Sequence, residues 1–464
     1  MNSRLLSFLH KINPINPKNI IALTIITVVW VNFNIVLWQK KDVLNNDVAF
    51  YYSYLPSVFY HHDITQEFLN QPENNHLIGK FSFPPKAPNG NYVFKSTMGM
   101  SITYLPFFVA AHYYAKIFNE PVDAYSEPYQ FAIQFSSLFY FVFGLIFLIR
   151  ILRLHFPDSV VSLSLFIIIF GTNAIYYLTV GAGMSHAADF GFICCFMYYT
   201  IKWHRQQYVK GSLLIGLMLG LLTLIRPINF LVILFFVFYD VKNFDDLKLK
   251  FKLFFNSKLQ IFLVLITAFL TVLPQLLYWK HQTGSYFFNS YVGEHFFFNH
   301  PQIMNGLFSF RKGWLIYTPI LIFALIGFYH LRKLHRDYFF PILLLFLLYI
   351  YVAFSWWCWW YGGSYGQRSL IDIYPFLALP LACFLLTLKN SNALKKKITY
   401  SVITLLVILN LYQTIQARWN NIHFDSMTKE AYLDVFFRFS KNPEAEKYLK
   451  HPDIEKAKAG IDEY

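Results

Sequence analysis

Charged residues are scarce in this sequence. Asp, Glu, Lys and Arg make up 14% of its 464 residues, and hydrophobic residues make up 56%. A soluble domain carries about 25% charged residues, whereas one membrane-spanning helix needs about 20 predominantly apolar residues. Strands of a membrane barrel alternate apolar and polar positions, and the apolar runs here are unbroken. The composition therefore excludes an ordinary soluble protein and predicts an all-α integral membrane protein.

Cysteines and familiar catalytic motifs are equally sparse. The four cysteines show neither metal-ligand spacing nor a disulfide framework. The GxxxxGK[ST], GxGxxG and HExxH patterns are missing, and so is the DxD pair with which nucleotide-sugar enzymes often hold a divalent metal. These absences favour a donor without a nucleotide. We expect no cofactor and no metal site, and the need for a divalent metal stays open.

The net charge of +14 comes from lysines and arginines that gather in short loops between apolar runs. We interpret them as orientation signals, not as a nucleic-acid surface, because cytoplasmic loops are enriched in basic residues. This rule places the N-terminus in the cytoplasm and the C-terminus outside. The predicted spans of a polytopic helical bundle are 19–38, 129–149, 159–177, 186–203, 211–225, 227–240, 259–279, 314–330, 338–356, 370–388 and 398–416.

This threading divides the chain into a membrane domain, 1–416, and a short outer tail, 417–464, with a small surface helix or two. The first outer loop, 39–128, is long. We expect its apolar part, 99–117, to be an interfacial or re-entrant helix that Pro106 interrupts. The apolar run 211–240 becomes a hairpin with Arg226 near its outer tip.

The first outer loop holds the most suggestive carboxylate. Asp47 lies about nine residues beyond the first span, beside Tyr51, Tyr52 and Tyr54. On one helix, Asp47, Tyr51 and Tyr54 would share a face. Aromatic rings can stack on sugars, and a carboxylate can take a proton from a hydroxyl group. The alternative is an interfacial aromatic belt with a solvated aspartate.

Further ionisable residues lie on the same predicted face. His186 and Asp189 begin one span and would share a helix face, either as functional groups or as a structural pair that holds helix ends together. Arg226 could hold a phosphate or extend to the membrane surface. Arg311 and Lys312 precede another span, where they could bind a lipid phosphate or ordinary headgroups.

The stretch 356–368 (WWCWWYGGSYGQR) concentrates four tryptophans and three glycines. We interpret it as a loop that lines a substrate site, with Trp360, Tyr361 and Arg368 as contacts. An interfacial belt is the alternative. Arg368 and Asp372 are four residues apart and would form an ion pair on a helix.

Together these features resemble the GT-C glycosyltransferases, which include the dolichyl-phosphate-mannose protein mannosyltransferases and the aminoarabinose lipid A transferases. The resemblance rests on the long first outer loop with Asp47, the stretch from Lys95 to Phe107, the Arg226-Pro227 hairpin, RKGWLIYTP at 311–319 and WWYGGSYGQR at 359–368. It covers most of residues 19–390 and suggests a multi-pass protein of the bacterial inner membrane with a periplasmic tail.

The resemblance implies transfer of a sugar from a polyprenyl-phosphate donor to a glycan, lipid or protein acceptor at the periplasmic face, with inversion. Asp47 would be the general base, and Arg226, Lys312 and Arg368 would stabilise the phosphate. Lys95, Tyr51 and the other residues named above would bind substrate: Tyr52, His186, Asp189, Arg311, Trp360 and Tyr361. Two alternatives are a transporter or flippase of lipid-linked sugars and a non-catalytic membrane protein of envelope assembly.

Overall fold

The computed structural model describes residues 16–77, 79, 84–440 and 442–461, and in these ranges the chain contains helices and two isolated β-bridges but no strand. The α-helices are α1 (Pro17–Ile35), α2 (Asn46–Tyr52), α3 (Tyr54–Phe59), α4 (Gly99–Ile117), α5 (Glu127–Leu152), α6 (Asp158–Phe170), α7 (Ala174–Leu178), α8 (His186–Arg205), α9 (Val209–Ile225), α10 (Ile233–Phe238), α11 (Phe244–Asn256), α12 (Lys258–Thr283), α13 (Ile303–Phe308), α14 (Trp314–Tyr317), α15 (Ile322–Leu334), α16 (Arg336–Phe354), α17 (Tyr374–Lys389), α18 (Ala393–Arg418), α19 (Lys429–Val435) and α20 (Ile454–Lys458). Short 3₁₀ helices are Glu67–Asn70, Pro72–Leu77, Pro227–Val232, Pro319–Leu321, Arg368–Ile373 and Pro443–Tyr448.

Six described helices are long and apolar enough to cross a membrane: α1, α5, α12, α16, α18 and the continuous helical segment Arg368–Lys389. This confirms the all-α membrane protein that the composition predicts. Three apolar helices are shorter, namely Asp158–Phe170, Val209–Ile225 and Pro227–Phe238. The number of eleven spans stays a prediction.

Two predicted spans are broken. The span expected at 159–177 is divided into α6 and α7 around Gly171, and the span expected at 314–330 is divided into α14 and α15 around Pro319. Proline has no N–H to donate and disfavours the helical conformation of the residue before it. Gly171 also lets the two breaks approach each other. A Cβ on Gly171 would lie 2.8 Å from Cδ1 of Ile320, which follows Pro319.

The predicted interruption at Pro106 is wrong, because α4 is one continuous helix from Gly99 to Ile117. Membrane helices tolerate an internal proline where neighbouring helices hold them in place. The start of α4 is held in this way. A Cβ on Gly99 would lie 2.4 Å from the backbone of Ile225 at the end of α9, and the Tyr140 hydroxyl of α5 donates to the Thr103 carbonyl at 2.7 Å.

Small residues bring the central helices close together, as is common where lipid supplies no hydrophobic driving force between helices. A Cβ on Gly144 of α5 would lie 2.8 Å from the Cα of Gly191 in α8, and one on Gly327 of α15 would lie 2.0 Å from the Pro380 carbonyl of α17. These crossings fix the positions of α8 and α17. His186 is the first residue of α8, and Asp372 lies two residues before the start of α17.

Polar contacts join the loops into two groups at opposite ends of the bundle. At the end with basic loops, His155 Nε2 lies 3.0 Å from the Tyr338 hydroxyl and Lys389 donates to Ser159 at 3.0 Å. The 26-residue helix α5, about 39 Å long, separates this end from the other. The opposite end brings together the first loop, the start of α8, the end of α9, the segment 284–313 and the stretch 356–373.

The tail packs onto this second end of the bundle. After α18 the chain forms α19, a 3₁₀ helix and α20. Met427, Ala431 and Tyr432 form a buried cluster with Tyr317 and Tyr365. The tail therefore covers part of the glycine- and aromatic-rich loop that ends at residue 368.

Candidate active site

An ion pair between Asp47 and Arg368 lies at the surface of the second end. Asp47 is in the first turn of α2, and Arg368 begins a 3₁₀ helix. The distance from Arg368 Nη2 to Asp47 Oδ2 is 2.7 Å, and the side chains are 13% and 34% exposed. The contact joins the first loop to the stretch 356–368, so the sequence-predicted base and one sequence-predicted cation meet directly.

The predicted pair between Arg368 and Asp372 is wrong. It assumed an α-helix, but residues 368–373 form a 3₁₀ helix, whose three residues per turn place positions i and i+4 on different faces. Arg368 instead turns toward Asp47, and Asp372 turns into the protein.

Asp372 is the centre of a second, buried group. Its carboxylate accepts from Arg226 Nη1 at 2.6 Å and from the Tyr349 hydroxyl at 3.0 Å, and its Oδ1 lies 2.8 Å from His186 Nδ1. Arg226 is extended between α9 and the following 3₁₀ helix, and its guanidinium lies 5.7 Å from the ring centre of Tyr361. The interpretation of Arg226 as a residue that merely reaches the membrane surface is therefore wrong.

His186 and Asp189 do not bind each other. Asp189 Oδ1 accepts from the Asn229 side-chain amide at 2.9 Å, while His186 binds Asp372. Both side chains are buried. The expected structural pair of His186 with Asp189 is therefore not formed, and each side chain holds the start of α8 through a different partner.

His186, Asp189 and Asp372 offer ligand atoms within 4.8 Å of one another, which is close enough for the three to share one metal ion. Arg226 already places a full positive charge 2.6 Å from Asp372. A divalent ion beside it would meet strong repulsion at low dielectric. These residues therefore fit a hydrogen-bonded network around Asp372 that includes Arg226 better than a metal site.

Lys95 forms a third ion pair beside the first. Its Nζ lies 2.7 Å from Glu294 Oε1, and its side chain is 27% exposed. The ammonium lies 5.3 Å from the ring centre of Tyr291. Glu294 also accepts from Trp357 Nε1 at 2.9 Å. Sequence reasoning missed Glu294, although it is the sole acidic residue between positions 280 and 313, which is a usable signal.

Of the tyrosines in the first loop, Tyr51 lies in the same helix as Asp47, one turn further along α2. Burial raises the pKa of Tyr51, and the negative charge of Asp47 raises it further. The prediction that Tyr52 contacts the substrate is wrong. Its hydroxyl donates to the Ala124 carbonyl at 2.6 Å, and its ring packs on Phe108. The prediction that Asp47, Tyr51 and Tyr54 share one helix face is wrong, because α2 ends at Tyr52 and Tyr54 starts α3.

Arg368 also controls the protonation of Asp47. Burial by itself would raise the pKa of the Asp47 carboxyl, but the charge and hydrogen bond of Arg368, together with the charge of Lys95, outweigh it. The pKa of Asp47 therefore lies below its ordinary value of 3.8. As long as Arg368 is bound to it, Asp47 is an ionised carboxylate and a weak base.

Arg311, Lys312 and Trp360 lie behind this surface. The exposed fraction is 3% for Arg311 and 1% for Lys312, so neither binds ordinary lipid headgroups. Lys312 donates to the Ser364 carbonyl, and burial, followed by the charge of Arg368, lowers its pKa. Arg311 lies 5.3 Å from the ring centre of the buried Trp360.

The site therefore has an open part and a closed part. Asp47, Lys95, Arg368 and Arg226 keep between 13% and 34% of their side chains exposed. The closed part consists of four buried side chains, those of His186, Asp189, Arg311 and Lys312. In the open part, Arg368 faces Asp47 and Lys95 faces Glu294, while Arg226 faces the buried Asp372. Such a group can exchange a carboxylate for an anionic ligand and can accept a proton.

No known family model matches the chain, and no curated protein matches it by sequence. Among solved structures, the chain is similar to the apo crystal structure of the Archaeoglobus fulgidus oligosaccharyltransferase. The TM-score is 0.47 at 15% identity, over 94% of this chain and 60% of that one. The chain spans about 60% of the length of that structure.

Proposed function

We propose that this protein is a membrane glycosyltransferase of the GT-C type that moves a sugar from a polyprenyl-phosphate donor to an acceptor at the periplasmic face, with inversion. The observation that carries the proposal is the partly exposed Asp47–Arg368 pair with Lys95 beside it. A base and two accessible cations at one membrane surface are what a hydroxyl acceptor and a lipid-linked phosphate require.

The donor phosphate would exchange partners with Asp47. The guanidinium of Arg368 can bind a phosphate through two parallel N–H donors, and Lys95 adds a second positive charge. As Arg368 shifts toward the phosphate, it withdraws the interaction that keeps the pKa of Asp47 low. Asp47 then becomes a stronger base at the moment when the donor is in place.

Transfer follows as one displacement. Asp47 takes the proton of the acceptor hydroxyl while the hydroxyl oxygen attacks the anomeric carbon from the side opposite the phosphate. The bond from the anomeric carbon to the phosphate oxygen breaks, and its electron pair stays on the polyprenyl phosphate. Arg368 and Lys95 stabilise the negative charge that develops there. The buried Lys312 lies behind Arg368 and does not contact the donor.

Carrier binding tests the cation assignment. We expect the full-length protein in nanodiscs to bind a long-chain polyprenyl phosphate and not the uncharged polyprenol. Arg368→Gln and Lys95→Gln should each weaken binding about tenfold or more, since hydrogen bonds to charged groups are worth about 1.5–3 kcal/mol. Lys40→Gln is the matched control, because Lys40 is an exposed lysine between α1 and α2. Equal binding of the polyprenol, or an equal loss in Lys40→Gln, would refute the assignment.

The low pKa of Asp47 also predicts a pH profile. The value of kcat/KM reports the protonation state of the free enzyme, in which Asp47 is paired with Arg368. A base with a depressed pKa stays ionised as the pH falls, and activity is lost only when the pH passes below that pKa. We therefore expect no acid-side decline of kcat/KM caused by Asp47 above about pH 4. An acid-side inflection between pH 5 and 7 that disappears in Asp47→Asn would contradict this.

A further inference from the structure

A histidine–aspartate cluster in the tail is independent of the proposed transfer reaction. His423 and Asp425 follow α18, and His451 precedes α20. Each offers one ligand atom, and these atoms lie within 4.8 Å of one another. His423 and Asp425 are partly buried, with 14% and 20% of their side chains exposed, and His451 is exposed. The cluster is therefore open to the medium on one side.

The ring nitrogen Nδ1 of His423 lies close to the Asp425 carboxylate. The backbone N–H groups of Asp425 and Ser426 lie 3.3 and 3.2 Å from Nδ1, and Asp425 Oδ1 lies 3.2 Å from it. The imidazole and the carboxylate can therefore face one cation, either a proton or a metal ion that replaces it.

Ser426 fixes the tautomer of the second histidine. Its hydroxyl donates its one proton to Asp425 Oδ1 at 2.6 Å. The serine oxygen must then accept from His451 Nδ1, which lies 2.9 Å away. His451 therefore carries its proton on Nδ1 and keeps a lone pair on Nε2. A hydrogen bond from the second ring nitrogen is the usual support of a metal-binding histidine.

We propose that His423, Asp425 and His451 form a zinc-type metal site that joins two segments of the tail. Two imidazoles and one carboxylate, with a water as fourth ligand, are a common zinc ligand set. Bonds of about 2.0–2.2 Å place tetrahedral ligands about 3.3 Å apart, and the 3.2 Å separation of His423 and Asp425 already meets this.

The location gives the ion a structural consequence. Between the ligands His423 and Asp425, the Phe424 carbonyl accepts from the Ser364 N–H at 3.0 Å. Next to the ligand His451, the Lys450 carbonyl accepts from Arg311 at 3.2 Å. A metal that joins these two tail segments would hold both contacts, and with them the loop that leads to Arg368.

Metal titration of the full-length protein in detergent, purified through a tag without histidine, tests the site. We expect one Co²⁺ per chain with the visible absorption bands of tetrahedral cobalt, displaced by Zn²⁺. His423→Ala and His451→Ala should remove these bands, and Ser426→Ala should lower the affinity about 10- to 100-fold. His281→Ala is the control, because His281 is an exposed histidine at the end of α12.

A second readout guards against a variant that does not fold. Zn²⁺ should raise the midpoint of thermal unfolding of the wild type and of His281→Ala, and it should leave that of His451→Ala unchanged. His451 is exposed, so its replacement disturbs little packing. The proposal is overturned if the wild type shows no tetrahedral cobalt spectrum, or if His451→Ala binds Co²⁺ with unchanged affinity.

Discussion

Replacing Asp47 with asparagine should abolish sugar transfer, with a loss of about 10²–10⁴-fold, the usual contribution of a general base. The amide keeps the size of the side chain but cannot take the acceptor proton. Asp47 is about one third exposed, and its α2 neighbours Val48 and Ala49 carry the packing. We therefore expect normal expression and membrane insertion. Mass spectrometry of envelope glycans in a deletion strain complemented with each variant would measure the effect.

Asp42→Asn is the matched control for this experiment. Asp42 lies in the same loop and is exposed, and it forms no ion pair within 4 Å among the described residues. We expect it to keep wild-type activity. If Asp47→Asn also kept wild-type activity, Asp47 would not be the base, and a non-catalytic role in envelope assembly would gain support.

Removing the guanidinium of Arg226 should have the largest effect on stability. In Arg226→Ala, the fully buried Asp372 loses its strongest partner and remains as a charge in a low-dielectric environment. Breaking a buried ion pair from one side costs about 3–5 kcal/mol. We expect a clear fall in the midpoint of thermal unfolding in detergent, and reduced amounts of folded protein in the membrane.

A double variant separates charge from packing. Arg226→Ala combined with Asp372→Asn should recover part of the lost stability, because no unpaired charge is then buried. The exposed pair Arg153–Asp158, at 2.8 Å, is the matched control, and Arg153→Ala should cost no more than about 1 kcal/mol. An Arg226→Ala variant as stable as Arg153→Ala would show that the buried network does not hold α8, α9 and α17 together.

The sequence predicts the helical framework well because membrane helices are recorded locally, in apolar runs of sufficient length. The predicted span 129–149 lies within α5, and 398–416 lies within α18. Breaks inside spans are harder to predict. Pro319 and Pro106 are both prolines in apolar runs, yet only the first divides a helix, because the difference depends on neighbouring helices that a local pattern does not contain.

The site shows the same limit more strongly. The residue types at positions 47, 226 and 368 are unusual near a membrane and could be selected from sequence. Their partners could not be selected in this way. A residue four positions away suggests a pair on one helix turn, whereas the true partner is more than a hundred positions distant. Arg368 binds Asp47, and Asp372 binds Arg226. Asn229 was missed because it is uncharged and lies within an apolar run.

The most direct test of the central claim is the affinity of Asp47→Asn for polyprenyl phosphate, measured in nanodiscs beside the wild type. If Asp47 and the donor phosphate compete for Arg368, the neutral side chain frees the guanidinium. The variant should then bind the carrier at least as tightly as the wild type, even though it transfers no sugar. Markedly weaker carrier binding would mean that Asp47 holds the carrier instead of competing with it, and would contradict the proposed exchange.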